Sequence, residues 1–291
     1  MTEEGPRLDF RDMTEADLAD GLRLSRASGW NPTLEDWRLL LSLGPGLFRV
    51  ALLDGQVIAS GGAVRYGDAL AWICMILVEP DARGHGLGTR IFDEALVHCE
   101  AEVRAGRLRC VGLDATPAGR GIYVQRGFVD GPGLVRMRAE TPPVAVRPSG
   151  VSDLTPADLG KVLTFDRKVF GADRRAVLDR ALAAAPALAR VACEGSRVRG
   201  YCFGRHGDHS DHVGPVVAED REEALALVRA CLSLPRKRPL ILDARVDPRW
   251  LAELRALGFR EQRPFTRMYL GETRPTSQAG RELAVFGPEF A

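Results

Sequence analysis

Apolar and polar positions along the chain recur in two rhythms. Behind Thr14, and again near Thr33 after Asn31-Pro32, apolar residues return at helical spacing, so a helix is predicted at each place. The runs 47–53 and 56–65 read as strands joined by the turn residues Asp54-Gly55. The run 69–78, ALAWICMILV, is apolar on both faces, as a strand in the middle of a sheet would be. An amphipathic helix follows to about Val103, with Leu87, Ile91, Ala95, Leu96 and Cys99 along one side. A strand over 108–114, a short helix through Tyr123 and a final strand near 134–138 complete the pattern. Strand, turn, helix, strand implies a parallel pair on either side of the turn at 83–90.

The pattern then repeats. DMTEADL (12–18) is matched by DLTPADL (153–159), each with Thr at a helix cap and an acid three residues on. FRVALLDGQ (48–56) parallels ARVACEGSR (189–197), RYGD (65–68) parallels RHGD (205–208), and GLDA (112–115) parallels ILDA (241–244). Gly-Phe and then Arg-Met close each half, at 127–128 and 136–137, then at 258–259 and 267–268. The proline-dense stretch TPPVAVRP, 141–148, reads as the linker between them. The expectation is two copies of one α/β unit, over 1–140 and 147–291.

Composition narrows the partners. Net charge is +1, from 40 basic and 39 acidic residues, which argues against a nucleic-acid or membrane-surface partner held by charge. The opening MTEEGPRLDFRD is acidic and polar, unlike a signal peptide, and the apolar run 69–78 is too short to cross a bilayer. A cytoplasmic location is the expectation. The six cysteines make no CxxC pair, so they read as buried or incidental thiols.

Between the apolar strand and its helix lies RGHGLGTR, residues 83–90. A helix N-terminus leaves backbone N–H groups unpaired and favours negative charge. Glycines let a ligand come close to that backbone, and Arg83 adds a fork suited to phosphate oxygens. A strand-to-helix turn could be made with one glycine; three alternating glycines cost helix stability without packing return. The string is neither a Walker loop, GxxxxGK[ST], nor the dinucleotide fingerprint GxGxxG.

Arg83, Gly86 and Gly88 form R-x-x-G-x-G, and the segment VEPDARGHGLG resembles the acetyl-coenzyme A signature of the GNAT superfamily of N-acetyltransferases. LDATPAGRGIYVQRGF resembles the same superfamily's downstream motif, with Tyr123 four residues before Gly127-Phe128. The close resemblance covers about residues 7 to 140. It implies an α/β fold of two tandem GNAT-like domains, each a central mixed sheet flanked by helices, and transfer of an acetyl group from acetyl-coenzyme A to an amine. It places Arg83, Gly84, His85, Gly86, Leu87, Gly88 and Thr89 around the pyrophosphate, and Ile76, Leu77 and Val78 along the pantetheine and thioester.

Acetyl transfer to a lysine-like amine requires removal of a proton, since at pKa about 10.4 only about one part in a thousand is neutral near pH 7.4. The resemblance offers Tyr123 as acid for the departing thiolate, although an aromatic there could simply pack the short helix. For the base the sequence offers Glu79, at the end of the apolar strand, or Asp114; the match of Asp114 with Asp243 in the other copy suggests a structural role for that pair. Trp30 and Asn31 fall in the loop that walls the acceptor pocket in this superfamily, though Trp30 reads equally as core. The expected partner is a small-molecule amine or amino acid, ahead of a peptide terminus or lysine, with homodimer formation left open. Two rival readings are an acyl-coenzyme A sensor without turnover and a tandem-domain acetyltransferase of thiol biosynthesis.

The second copy departs from the pattern. Where the first has RGHGLGTR it has EDREEALA, with acids at 219, 220, 222 and 223, and Leu254 replaces the tyrosine. It is expected to bind no coenzyme A. His206, His209 and His212 in HGDHSDH invite a metal reading, but an extended hairpin would splay them, so no metal site is expected and the segment reads as an exposed polar loop.

Overall fold

The structure, a computed structural model, describes residues 7–140, 146–235, 237–271 and 278–291. Residues 141–145 of the expected linker lie outside them. The chain divides into two compact units, one running through Leu113 and taking in Phe290, the other Asp114–Glu289 with Ala291.

The first unit follows the predicted order with one addition, an initial strand β1 (Leu8–Asp12). Its alternation is obscured because most of its residues are exposed. After a 3-10 turn at Glu15–Asp17 come α1 (Leu18–Ala27), α2 (Leu34–Leu43), β2 (Arg49–Leu53), β3 (Gln56–Tyr66), β4 (Leu70–Val78), α3 (Leu87–Arg104) and β5 (Cys110–Ala115). The cap at Thr14 is the one read from the sequence, and Thr33 caps α2 in the same way. The Asp17 carboxylate accepts from the Thr14 N–H at 2.8 Å, and Asp36 does the same for Thr33 at 2.7 Å. The Arg11 guanidinium, with Thr14, holds the Asp17 carboxyl down to about 2.

The strands lie in the order β1-β2-β3-β4-β5. β4 runs antiparallel to β3 and parallel to β5, the latter pairing extending only from Leu70↔Cys110 to Trp72↔Gly112. Past Trp72, β4 therefore has no strand partner on that side among the described residues. Leu87, Ile91, Phe92, Ala95, Leu96 and Cys99 form the buried stripe of α3, packed on β2, β3 and β4.

The second unit contains α4 (Pro117–Val124), β6 (Val129–Ala139), β7 (Val151–Asp153), α5 (Leu159–Phe170), α6 (Arg175–Ala184), β8 (Arg190–Glu194), β9 (Arg197–His206), β10 (Asp211–Ala218), α7 (Arg221–Leu232), β11 (Leu240–Arg245), α8 (Pro248–Ala256), β12 (Arg260–Gly271) and β13 (Glu282–Val285). Its strand order is β12-β6-β11-β13-β10-β9-β8-β7. Two features of that order were not legible in the sequence. β6, the closing strand of the first repeat, lies between β12 and β11 of the second, antiparallel to both. And β13, which has no counterpart in the first repeat, runs between β10 and β11.

The repeat-equivalent residues reveal why β6 sits there. Arg136 on β6 forks onto Asp243 of β11 at 2.8 and 2.7 Å, while Arg267 on β12 forks onto Asp114 at 2.9 and 2.8 Å. Asp114 matches Asp243 and Arg136 matches Arg267, so each repeat's aspartate is bound by the other repeat's arginine. All four side chains are buried. Burial pushes the Asp243 carboxyl up, and the Arg136 guanidinium more than offsets this, leaving it at about 2.

Candidate active site

The glycine turn lies where the sequence places it, at the N-terminus of α3. Gly86 is the N-cap, with φ 76°, and no side chain caps the helix. That left-handed conformation suits a residue without Cβ. A Cβ there would meet nothing within 4 Å, so space at this position is open. No acidic residue occupies the first turn, and the first N–H groups of α3, which have no intrahelical acceptor, face a site without a built-in anion. Gly88 has a different reason to be glycine: a Cβ would lie 3.2 Å from Val78 Cγ2. Gly86, Thr89 and Arg90 border a cavity of about 710 Å³.

Arg83 is exposed; its Nε donates to the Val78 carbonyl at 3.1 Å and Nη2 reaches Ser28 Oγ at 3.4 Å. Its fork thus stands between the end of β4 and α1. His85 is exposed, with Nδ1 3.4 Å from the Ala82 carbonyl. Ile76, Leu77 and Val78 occupy the stretch of β4 beyond its pairing with β5, so among the described residues no neighbouring strand takes up that edge. Within it Met75 adopts φ 57°, and the register with β3 shifts between Ser60 and Gly62, a bulge that sequence reading missed. The signal that could have found it is Ser60-Gly61-Gly62 opposite an otherwise unbroken apolar strand.

Glu79 follows β4, its N–H donating to the Ile58 carbonyl at 2.8 Å. Its Oε2 is ion-paired with Arg23 Nη1 of α1, and Arg23 also reaches Asp20 at 3.2 Å. Oε1 carries no protein bond among the described residues. Asp114, the other candidate base, is fully enclosed and bound to Arg267 by both oxygens, which makes it part of the framework. Asn31 is buried and Trp30 half-buried, while the tryptophan at the core of this region is Trp37, bonded through Nε1 to Ser25 Oγ at 3.0 Å.

Tyr123 lies on α4, in the second unit, where its ring packs against Phe128 at 6.3 Å between centroids. Thr116 caps α4, its hydroxyl facing the Gly119 N–H at 3.4 Å. Burial pushes the Tyr123 phenol up to about 12, far above the pKa of about 8.5 of a free thiol. The phenol therefore keeps its proton, and its natural service to a thiolate is a donated hydrogen bond.

The same junction in the second repeat is built differently. The Asp220 carboxylate caps α7, accepting from the Glu223 N–H at 2.9 Å. Glu222 and Glu223 fill the first turn, and Arg199 pairs with Asp220 and Glu223 at 3.1 and 2.9 Å. β10 and β11 pair only at Asp211↔Leu240 and His212↔Ile241 before they part, as β4 and β5 do. Here β13 fills the gap, pairing Val216↔Ala284 on one side and Ala244↔Ala284 on the other. A Cβ on Gly214 would stand 2.0 Å from the Val285 carbonyl oxygen, so β10 is shaped to this filling strand. Trp250 Nε1 donates to the Leu283 carbonyl at 3.0 Å, and the Glu282 carboxylate lies buried between Arg174 and Arg267.

The histidine segment corrects one expectation. β9 and β10 form a hairpin, but only His206 and His209 are exposed at its turn; His212 is fully buried beside Asp243, at 3.4 Å. Burial pushes its imidazole down to about 3, so it is neutral. Among the described residues no group of histidine, cysteine and carboxylate side chains is arranged to hold a metal ion. Five cysteines are buried and Cys193 is exposed. No helix of the described residues is long and apolar enough to cross a membrane.

Comparison with known proteins agrees with this geometry. Residues 12–128 match the acetyltransferase (GNAT) family and residues 162–283 match an acetyltransferase (GNAT) domain. The chain is 27% identical over 248 residues to the holothin acyltransferase of Pseudoalteromonas sp. (strain SANK 73390), covering 84% of this chain and 82% of that one. Its fold is similar to a putative acetyltransferase from Pyrococcus horikoshii, with TM-score 0.78 and 22% identity over 97% of this chain and 95% of that one. It is also similar to a tandem GNAT protein from the clavulanic acid biosynthesis pathway, with TM-score 0.57 and 17% identity over 92% and 100% of the two chains.

Proposed function

The chain belongs to the GNAT superfamily of acyltransferases, with two GNAT domains in tandem, and from that premise we propose that its first repeat moves an acetyl group from acetyl-coenzyme A to a primary amine. The observation that carries this reading is the pairing of two features in one place: an uncapped, acid-free helix N-terminus after Arg83, and a strand β4 whose edge is left unpaired by β5. An anion and an extended thioester arm are what such a turn and such an edge would hold.

In this reading the pyrophosphate lies on the N–H groups from Gly84 to Thr89 with Arg83 alongside, a charge-assisted contact. The thioester lies along Ile76 to Val78, where a backbone N–H stabilises the oxyanion of the tetrahedral intermediate; one such donor is worth about 10²–10³ in rate. Glu79 takes the amine's proton through water at Oε1, the oxygen not paired with Arg23. Tyr123 donates to the departing thiolate. The second repeat holds no coenzyme A and serves as framework.

The acceptor in this reading is a small molecule or amino acid, ahead of a peptide terminus or lysine; the cofactor motif does not name it, because the walls come from loops such as 28–33. A screen of amines with acetyl-coenzyme A, read by free thiol and by mass of the product, tests the function. Acetylated amine is the expected result. Coenzyme A binding with no thiol release across the screen would favour a sensor.

A further inference from the structure

We propose that Ser60 is a positioning residue for acyl transfer, acting through the one left-handed residue of β4; the inference rests on the reading of the first repeat as the acetyl-coenzyme A site. At the bulge, Met75 and Ile76 together face Gly61, because the register passes from Gly62↔Cys74 to Ser60↔Leu77. Met75 holds φ 57° there, a conformation that disfavours any L side chain and persists only where its surroundings impose it.

Strand β3 imposes it with three consecutive residues. A Cβ on Gly61 would lie 2.4 Å from Ile76 Cδ1 and 2.7 Å from Ile91 Cγ2, so the Ile76 side chain takes the space a side chain at 61 would need. Gly62 is equally closed, with the Phe48 ring 2.6 Å from a Cβ there. Ser60, fully buried, donates its hydroxyl to the Met75 carbonyl at 3.2 Å. The glycines give the bulge its room, and the serine fixes its orientation.

That one bond reaches the chemistry through peptide geometry. The Met75 carbonyl and the Ile76 N–H belong to the same planar, trans peptide group, so they point in opposite directions. With the carbonyl held toward Ser60 on β3, the Ile76 N–H is aimed away from β3, toward the side of β4 that β5 leaves unpaired. A carbonyl that accepts a hydrogen bond also polarises its own peptide, which strengthens the N–H as a donor. Ser60 thereby sets both the aim and the strength of the donor that meets the developing oxyanion, without touching the substrate.

The test compares wild type, Ser60→Ala and Ser60→Cys, the last keeping a weak donor of similar size. Three quantities are measured: kcat in a chemistry-limited regime, the coenzyme A dissociation constant by calorimetry, and the infrared band of the carbonyl-labelled acetyl group of bound acetyl-coenzyme A. For Ser60→Ala we expect kcat lower by about tenfold, affinity for coenzyme A within about twofold, and the carbonyl band at higher frequency than in wild type. Ser60→Cys should lie between. An unchanged band with unchanged kcat overturns the proposal, as does a loss of affinity and melting temperature that tracks kcat in both variants, the signature of packing alone. Wild-type protein that shows no bound acetyl band at all overturns the underlying reading instead, which keeps the two failures distinguishable.

Discussion

The two repeats share a framework and part company at a single junction. In the first, the turn after the central strand ends on a left-handed glycine, leaves its helix uncapped and puts no acid in the first turn. In the second, the helix brings its own anion, the Asp220 carboxylate, with two glutamates behind it. The first repeat's β4 and β5 part and leave an edge open, whereas the gap between β10 and β11 is occupied by β13. In the proposed reading, the fold supplies the place for a cofactor, and what fills the helix end and the strand gap decides whether it can be used.

The framework is the part of the comparison most costly to break. Asp243→Ala removes the buried carboxylate onto which Arg136 forks, and Asp114→Ala removes the one onto which Arg267 forks. Each should cost about 3–5 kcal/mol in urea unfolding, and, being reciprocal positions, by similar amounts. A cost below about 1 kcal/mol for either would mean that these pairs do not hold the exchanged strand. Next comes the chemistry proposed for the first repeat. Tyr123→Phe should lower kcat by on the order of 10²–10³ while sparing coenzyme A affinity, on the scale of a lost hydrogen-bond donor to charge developing in the transition state; a change under threefold in a chemistry-limited assay makes the residue a packing aromatic.

Smaller effects sharpen the contrast at the two helix ends. Arg83→Ala removes a charge-assisted contact worth about 1.5–3 kcal/mol, so calorimetry should show coenzyme A bound at least tenfold more weakly. Affinity within twofold of wild type would remove Arg83 from the site. Asp220→Ala, its opposite number, should cost about 1 kcal/mol of stability as a lost N-cap and create no new coenzyme A site, because β13 still fills the gap. The appearance of a second site in that variant would show that the capping carboxylate alone had closed it.

Much of this was legible in the sequence, for physical reasons. Periodicity gave the strands around Ile73 and Val57 and the helix carrying Ile91, because each buries one stripe or both faces. Thr14-Asp17 announced its helix through capping chemistry that is local, and Asn31-Pro32 marked the start of the next. The glycine turn was legible because left-handed backbone and an empty helix cap both demand glycine. What the sequence hid was non-local. Nothing in the residues of β6 says that its partners are β11 and β12, since an antiparallel strand pairs equally well with any apolar neighbour. β13 is only four residues long, too short for a periodic signal, and its burial comes from the gap it enters. His212 looked like part of a polar loop because its neighbours are polar, yet the strand begins at Asp211 and is buried along its whole length. The bulge at Met75 escaped because its cause lies across the sheet, in Ser60 and Gly61.

The claim that one repeat holds the cofactor and the other cannot is tested most directly by the binding stoichiometry of coenzyme A on the intact chain, measured by calorimetry for wild type and for Gly86→Val. At Gly86 a β-branched residue must adopt φ 76° and would place its side chain where the pyrophosphate meets the backbone. The account predicts one site per chain in the wild type and none in the variant, with the variant's melting temperature showing that it remains folded. Two sites in the wild type, or one that survives the substitution, would contradict it.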